Sequence, residues 1–248
     1  MSVLAEPQRF TDIGTREPSG VVYHPGLKHL FVVGDEGALV ELDKSAQVVH
    51  IQKVKGNLED VTVHTPTGNL VILSEAKSEL LYWDPVARVR KARWELDTAA
   101  LLGDADVGSG RNGFEGLGFR EERGRPGGGV FYLARQKAPP MIIGIAFDPE
   151  RAPSGALAPE VVSRWSMTKA ELRSVCFSAE LARFLVISKK GLSLVGLDGS
   201  VGKTMALPGE QPEGVCLDDD GTLWVADDPG GALLKFPGAL ATLRATQP

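Results

Sequence analysis

QPEGVCLDDDGTLWVADDP, residues 211–229, reads as two short apolar strands around a turn, and the chain contains five units of this kind. The first strand occurs as EPSGVVY from Glu17, NLEDVTV from Asn57, GFEGLGF from Gly113, ELRSVCF from Glu171 and QPEGVCL from Gln211. The second follows as LFVVGDE from Leu30, LVILSEA from Leu70, VFYLARQ from Val130, FLVISKK from Phe184 and LWVADDP from Leu223. A third comes after a polar gap: ALVELD, LLYWD, IIGIAFD, LSLVGLD and ALLKF. Val, Ile, Leu, Phe and Trp dominate these runs, and turns such as His24-Pro25-Gly26, Pro66-Thr67-Gly68 and Asp219-Asp220-Gly221 separate them.

The units start about 40, 56, 58 and 40 residues apart. A four-stranded propeller blade needs roughly 40–50 residues, so each unit is blade-sized. The longer spacings reflect insertions near Leu96–Asn112 and Glu150–Ser166, where a helical turn is plausible, and neither has three clear strands for a sixth blade. The last unit supplies only three strands before the tail at Pro237, and the segment Gln8–Ile13 is positioned to add the fourth. The expected architecture is all-β: one five-bladed β-propeller over residues 1–248, with four-stranded antiparallel blades. An N-terminal strand joins the last blade and closes the ring, removing its exposed edges.

In a propeller the first strand of each blade lines the central channel. Glu59, Glu115 and Glu213 fall in one column, two residues before Val61, Leu117 and Val215. The first and fourth units have Ser19 and Arg173 in that column, with Glu17 and Glu171 two residues earlier. Side chains two apart in a strand share a face, so each unit is expected to bring one carboxylate to the same channel mouth. The second strand returns to that mouth. The residues ending it are therefore candidates for ligand contact: Asp35, Glu36, Glu75, Arg135, Lys137, Lys189, Asp227 and Asp228, with Arg173 from the column itself.

Carboxylates crowded at a narrow mouth must be protonated, paired with cations or neutralised by a metal. An all-oxygen set of Glu17, Glu59, Glu115, Glu171 and Glu213 suits a hard cation, Ca²⁺ before Mg²⁺. The alternative is a metal-free ring in which Arg173 and Arg135 pair with the acids.

EPSGVVY, LEDVTV, GFEGLGF, LARQKAPP and QPEGVCLDDDGTLWVADDP, in that order, resemble the SdiA-regulated (YjiK-like) propellers from about Glu17 to Phe236. That resemblance implies a five-bladed propeller distantly related to the NHL-repeat group, with a bound calcium ion and no established reaction. Members often have an N-terminal anchor or export signal. They tend to have an acidic-Leu-Ser-Gly phrase in the fourth unit, where this chain reads Glu171-Leu172-Arg173-Ser174. Related six-bladed propellers include calcium-dependent lactonases and esterases, which leaves a hydrolase of lactones, esters or phosphoesters as an alternative.

Other chemistry is less well supported. His24 and His64 end inner strands, on the face opposite the acids, and no histidine follows His64, which argues against a Ser-His-Asp arrangement. Only a carboxylate base, such as Asp227 or Glu75, remains. Gly199-Ser200-Val201-Gly202-Lys203-Thr204 lacks the first glycine of a phosphate loop, and Asp218-Asp219-Asp220-Gly221 lacks the closing glutamate of an EF-hand. Both read as turns. The glycine-rich segment 108–113 could fold over the channel mouth.

Cys176 and Cys216 share a repeat position and read as buried free thiols. A net charge of −5 argues against a nucleic-acid partner, and no apolar run is long enough to span a bilayer. The start MSVLAEPQRFTDIG lacks the basic and apolar regions of a signal peptide, so a cytoplasmic location is expected. The overall expectation is a calcium-binding propeller that recognises a small molecule or a protein at its acidic mouth.

Overall fold

In the computed structural model, which describes residues 4–75, 78–103, 113–136, 139–167 and 171–246, the chain forms five antiparallel blades. Strand β1 (Gln8–Phe10) precedes the first blade, which consists of β2 (Pro18–His24), β3 (His29–Gly34), β4 (Ala38–Leu42) and β5 (Val48–Lys53). The second blade comprises β6 (Leu58–His64), β7 (Asn69–Ser74), β8 (Glu79–Asp84) and β9 (Val89–Leu96). A short helix, α1 (Thr98–Leu102), follows, and the Asp97 side chain caps it by accepting from Ala100 N. The third blade contains β10 (Phe114–Glu121), β11 (Gly129–Arg135) and β12 (Met141–Ala146). Before its outer strand forms, β13 (Gly155–Leu157) leaves to pair in parallel with β9; β14 (Glu160–Ser166) then completes the blade. The first insertion therefore contains the expected helical turn. The second does not: its residues form β13 and the blade's own fourth strand.

The fourth blade is β15 (Leu172–Ser178), β16 (Arg183–Ser188), β17 (Gly191–Val195) and β18 (Val201–Met205). The fifth has β19 (Pro212–Leu217), β20 (Leu223–Asp227) and β21 (Ala232–Phe236), and β1 adds its fourth strand by pairing with β21. An ion pair between Arg9 and the fully buried Asp227, 2.7 Å long, fixes this closure. The tail folds as α2 (Ala239–Ala245), whose Leu243 packs against Leu181 and Leu223.

The cores lie between blades, which explains why the inner strands are buried on both faces. Five apolar clusters occupy the five blade interfaces. Between the first two blades, for example, Phe31, Val33 and Leu39 meet Leu58, Val61 and Ile72. The outermost strands face solvent, leaving Val48, Val49 and Ile51 of β5 exposed. No helix among the described residues is long and apolar enough to cross a membrane.

Candidate functional site

Every inner strand breaks its ladder at the same place. The register with the second strand slips between Pro18 and Gly20, Leu58 and Asp60, Phe114 and Gly116, Leu172 and Ser174, and Pro212 and Gly214. The extra residue is Ser19, Glu59, Glu115, Arg173 or Glu213, which is the column read from the repeats. A β-bulge leaves its residue unpaired and re-aims its side chain, so these five positions can turn toward the channel mouth. The bulge also ends strict alternation. Residues two positions earlier, including Glu17 and Glu171, therefore do not share a face with the column simply by parity.

The second strand does return beside the inner-strand start. Backbone N–H groups of Asp35, Glu75, Gln136, Lys189 and Asp228 donate to the carbonyls of Glu17, Asn57, Gly113, Glu171 and Gln211, at 2.9–3.2 Å. This five-fold clamp places two tiers of side chains around one opening.

The tiers differ around the ring. Glu59 is buried, and its Oε1 accepts from Asn57 Nδ2 at 2.7 Å. Burial, then contact with the Glu115 carboxyl and the charges of Asp35 and Glu75, push Glu59 up to about 11. Two carboxyls that meet in this way resist ionising together. Asp35 accepts a short hydrogen bond from Ser19 Oγ, and it is raised by burial and by Glu17, Glu36 and Glu75. Burial also raises Asp228, with Asp35 and Glu17 adding to the effect. The opposite arc is mixed. Arg173 Nη1 lies 3.8 Å from Glu213 Oε1 and donates to Pro212 O at 3.1 Å. Glu213 also accepts from Gln211 Nε2 at 2.8 Å, yet burial still pushes it up to about 7.

Other sequence candidates have partners of their own. Glu171 is exposed and 3.3 Å from Lys189 Nζ. Glu36 accepts from Thr15 Oγ1 at 2.8 Å and Arg16 N at 2.9 Å. Asp227 is committed to Arg9 and to Gln211 N, at 2.8 Å from the latter. Arg135 is buried and donates to Pro139 O at 3.3 Å. Lys137 and the segment 108–112 lie outside the described residues.

One residue was missed in the sequence. Immediately below the mouth, the inner strands present Gly20, Asp60, Gly116, Ser174 and Gly214. A Cβ on Gly20 would lie 2.6 Å from Asp60 Cα, one on Gly116 2.8 Å from Ser174 Cα, and one on Gly214 2.7 Å from Gly20 Cα. Glycine is required because the strands approach each other this closely. Asp60 is the exception and fills the narrowed axis. Its Oδ1 accepts from Val61 N at 2.8 Å; its Oδ2 accepts from Leu117 N and Ser174 Oγ, both at 2.9 Å. The Val175 N–H adds to this set. Complete burial drives its pKa well up, while four donors favour the charged form. Asp60 thus ties the second blade to the third and fourth across the axis. The available signal was an acidic residue where the other units have Gly or Ser.

The histidines lie at the far ends of the inner strands. His24 Nε2 meets Gly68 O and His64 Nε2 meets Gly127 O, each at 2.7 Å, so each imidazole joins its blade to the next. On the same face, Asp218, Asp219 and Asp220 bring carboxylate oxygens within 4.8 Å of one another, a spacing that could hold a metal ion. Here the cation among them is Lys44 Nζ, 2.7 Å from Asp219 and 3.6 Å from Asp218 and also bonded to Asp220. Asp218 additionally accepts from Asp220 N, Thr222 N and Trp224 Nε1, as expected of a turn.

These features define a five-bladed propeller with one carboxylate-lined mouth. Residues 7–231 match the sequence model of the SdiA-regulated family, and the chain belongs to that family. No curated protein matches the sequence. Among solved structures it is similar to Myxococcus xanthus glutaminyl cyclase, with a TM-score of 0.62 and 15% identity over 94% of this chain and 95% of that one. It is more distantly similar to virginiamycin B lyase from Staphylococcus aureus, with a TM-score of 0.48 and 8% identity over 94% of this chain and 71% of that one. At these identities the likeness concerns the fold.

Proposed function

We propose that the acidic mouth binds a hard divalent cation, calcium by preference, and that the cation together with Arg173 recognises an anionic group of a small molecule or protein. The observation that carries this reading is the Glu59–Glu115 contact, in which two carboxyls from neighbouring blades are held together under burial. Such a pair needs either a proton or a cation between its members, and an all-oxygen donor set favours a hard ion. Glu59 and Glu115 would hold the ion, with Asp35 and Glu75 near enough to add charge. When bound, calcium would neutralise the pair and offer a positive centre to a ligand oxygen.

Glu213 has a different part. Its partner is Arg173, so this arc of the ring keeps a guanidinium at the mouth. Arg173 Nε is buried and has no hydrogen-bond partner among the described residues, which leaves donor capacity for an anionic ligand. Glu171, paired with Lys189 at the surface, is not needed in the ligand set.

Thermal unfolding with calcium or chelator tests the proposal. Calcium at about 100 times its dissociation constant stabilises by about 2.7 kcal/mol, which corresponds to a Tm rise of about 5–10 °C for a chain of this size. Glu59→Gln and Glu115→Gln should each abolish the rise, and Glu171→Gln should preserve it. A Tm indifferent to both calcium and chelator would overturn the reading.

A further inference from the structure

A residue at a bulge lies outside the ladder, so its side chain needs another anchor to hold one direction. For Glu59 that anchor is Asn57, a partly buried residue two positions earlier on the same blade. Its backbone carbonyl accepts from Glu75 N at 3.1 Å. Its Nδ2 donates to Glu59 Oε1 at 2.7 Å and to Glu75 Oε2 at 3.3 Å. A primary amide carries two N–H hydrogens, so one nitrogen can serve both carboxylates. Two groups of like charge are thereby held on either side of one neutral donor.

The other blades show that the fold itself does not require this amide. The first, third and fourth have Glu17, Gly113 and Glu171 at the same position, yet they form the same bulge and the same clamp. In the fifth blade Gln211 takes the place of Asn57, and its Nε2 donates to Glu213 Oε1 at 2.8 Å. There the amide serves the carboxylate that Arg173 already approaches, at 3.8 Å. Glu115, preceded by glycine at this position, bonds to the Glu59 carboxyl instead. Fixing Glu59 therefore fixes both members of the pair.

We propose that Asn57 is a positioning residue of the acidic mouth: its amide sets the directions of Glu59 and Glu75, and through Glu59 that of Glu115, so that three carboxylates from two blades converge on one hard cation. This rests on the reading of the mouth as a cation site. Asn57 acts through the carboxylates and does not itself touch the ion.

The test is calorimetric titration of calcium at pH 7 into the full chain and three variants, each checked for folding by circular dichroism in chelator. Asn57→Ala removes the donor and should weaken calcium about tenfold or more, the usual cost of losing a partner that orients a metal ligand. Asn57→Asp keeps the shape but exchanges the donor for a further negative charge. If the position mattered through charge alone, that carboxylate would strengthen calcium binding; under the positioning role it should weaken it about tenfold or more. Asn57→Gln should restore affinity to within about threefold of wild type, because Gln211 reaches its own glutamate from the equivalent place. The proposal is overturned if Asn57→Asp binds calcium as tightly as wild type or more tightly, or if Asn57→Gln binds no better than Asn57→Ala. It is also overturned if Asn57→Ala does not fold in chelator, since the position would then serve the fold. A wild-type chain that binds no calcium overturns the cation reading and this inference together, which distinguishes that failure from the others.

Discussion

The two ends of the channel are built from the same five strands and have opposite characters. At the strand starts, bulges fall at Glu59, Glu115, Arg173 and Glu213, and burial raises Glu59, Asp35, Asp228 and Glu213. At the strand ends, histidines clamp one blade to the next and the carboxylates of Asp218–Asp220 surround a lysine. The far end is electrostatically satisfied, whereas the near end is not. Unfavourable electrostatics concentrated on one face of a symmetric scaffold suggest a role beyond folding. The layer between the two ends, with Asp60 at its centre, keeps them apart.

Breaking that layer should have the largest effect. Asp60→Ala leaves the Leu117 and Val175 amides and the Ser174 hydroxyl without their buried acceptor, and about 3–5 kcal/mol of stability should be lost in denaturant titration. Asp60→Asn keeps the shape and part of the bonding, and should lose less. Next is the ring closure. Asp227→Ala uncouples β1 by removing the partner of Arg9 and of Gln211 N; because Arg9 is partly exposed, the loss should be about 2 kcal/mol. Amide exchange at β1 should accelerate more than exchange at β10.

The pH dependence sharpens the contrast between the ends. Glu59 is an acid with a raised folded-state pKa, so above about pH 4.5 the folded chain retains a proton that the unfolded chain has lost. Its contribution to stability is therefore present at low pH and is lost progressively as pH rises from about 4.5 toward 11. Glu213 adds to the same trend between about 4.5 and 7. Calcium-free protein should gain stability on acidification from pH 7 to pH 5.5, by up to about 1.4 kcal/mol per pH unit for each proton that only the folded chain retains. Saturating calcium should flatten this slope, because the ion takes the place of the proton. The smallest effect is expected at the surface: Glu171→Gln, which breaks only an exposed pair with Lys189, should change stability by less than about 0.5 kcal/mol.

Much of this molecule was legible in its repeats. Strand order, blade count and closure by the N-terminal segment follow from three apolar runs recurring at blade-sized intervals, because a blade's burial pattern repeats with it. The column of Ser19, Glu59, Glu115, Arg173 and Glu213 was also visible, as was the return of the second strand beside it. The bulge was not visible, because alternation in a one-dimensional pattern assumes an unbroken ladder. Parity alone therefore grouped Glu171 with the column, although it lies exposed beside Lys189. Asp227 looked like a free acid at a strand end, and only the closing strand reveals Arg9 as its partner. Asp60 was overlooked because its role depends on the close approach of strands from different blades, a distance that no local pattern records.

The most direct test of the central claim is calorimetric titration of calcium at pH 7 in two buffers of different ionisation enthalpy. If the Glu59–Glu115 pair exchanges its proton for the ion, binding heats will differ between the buffers by the equivalent of about one proton released per calcium. The release should vanish in Glu59→Gln. Calcium binding without proton release, or release unchanged in Glu59→Gln, would contradict the account.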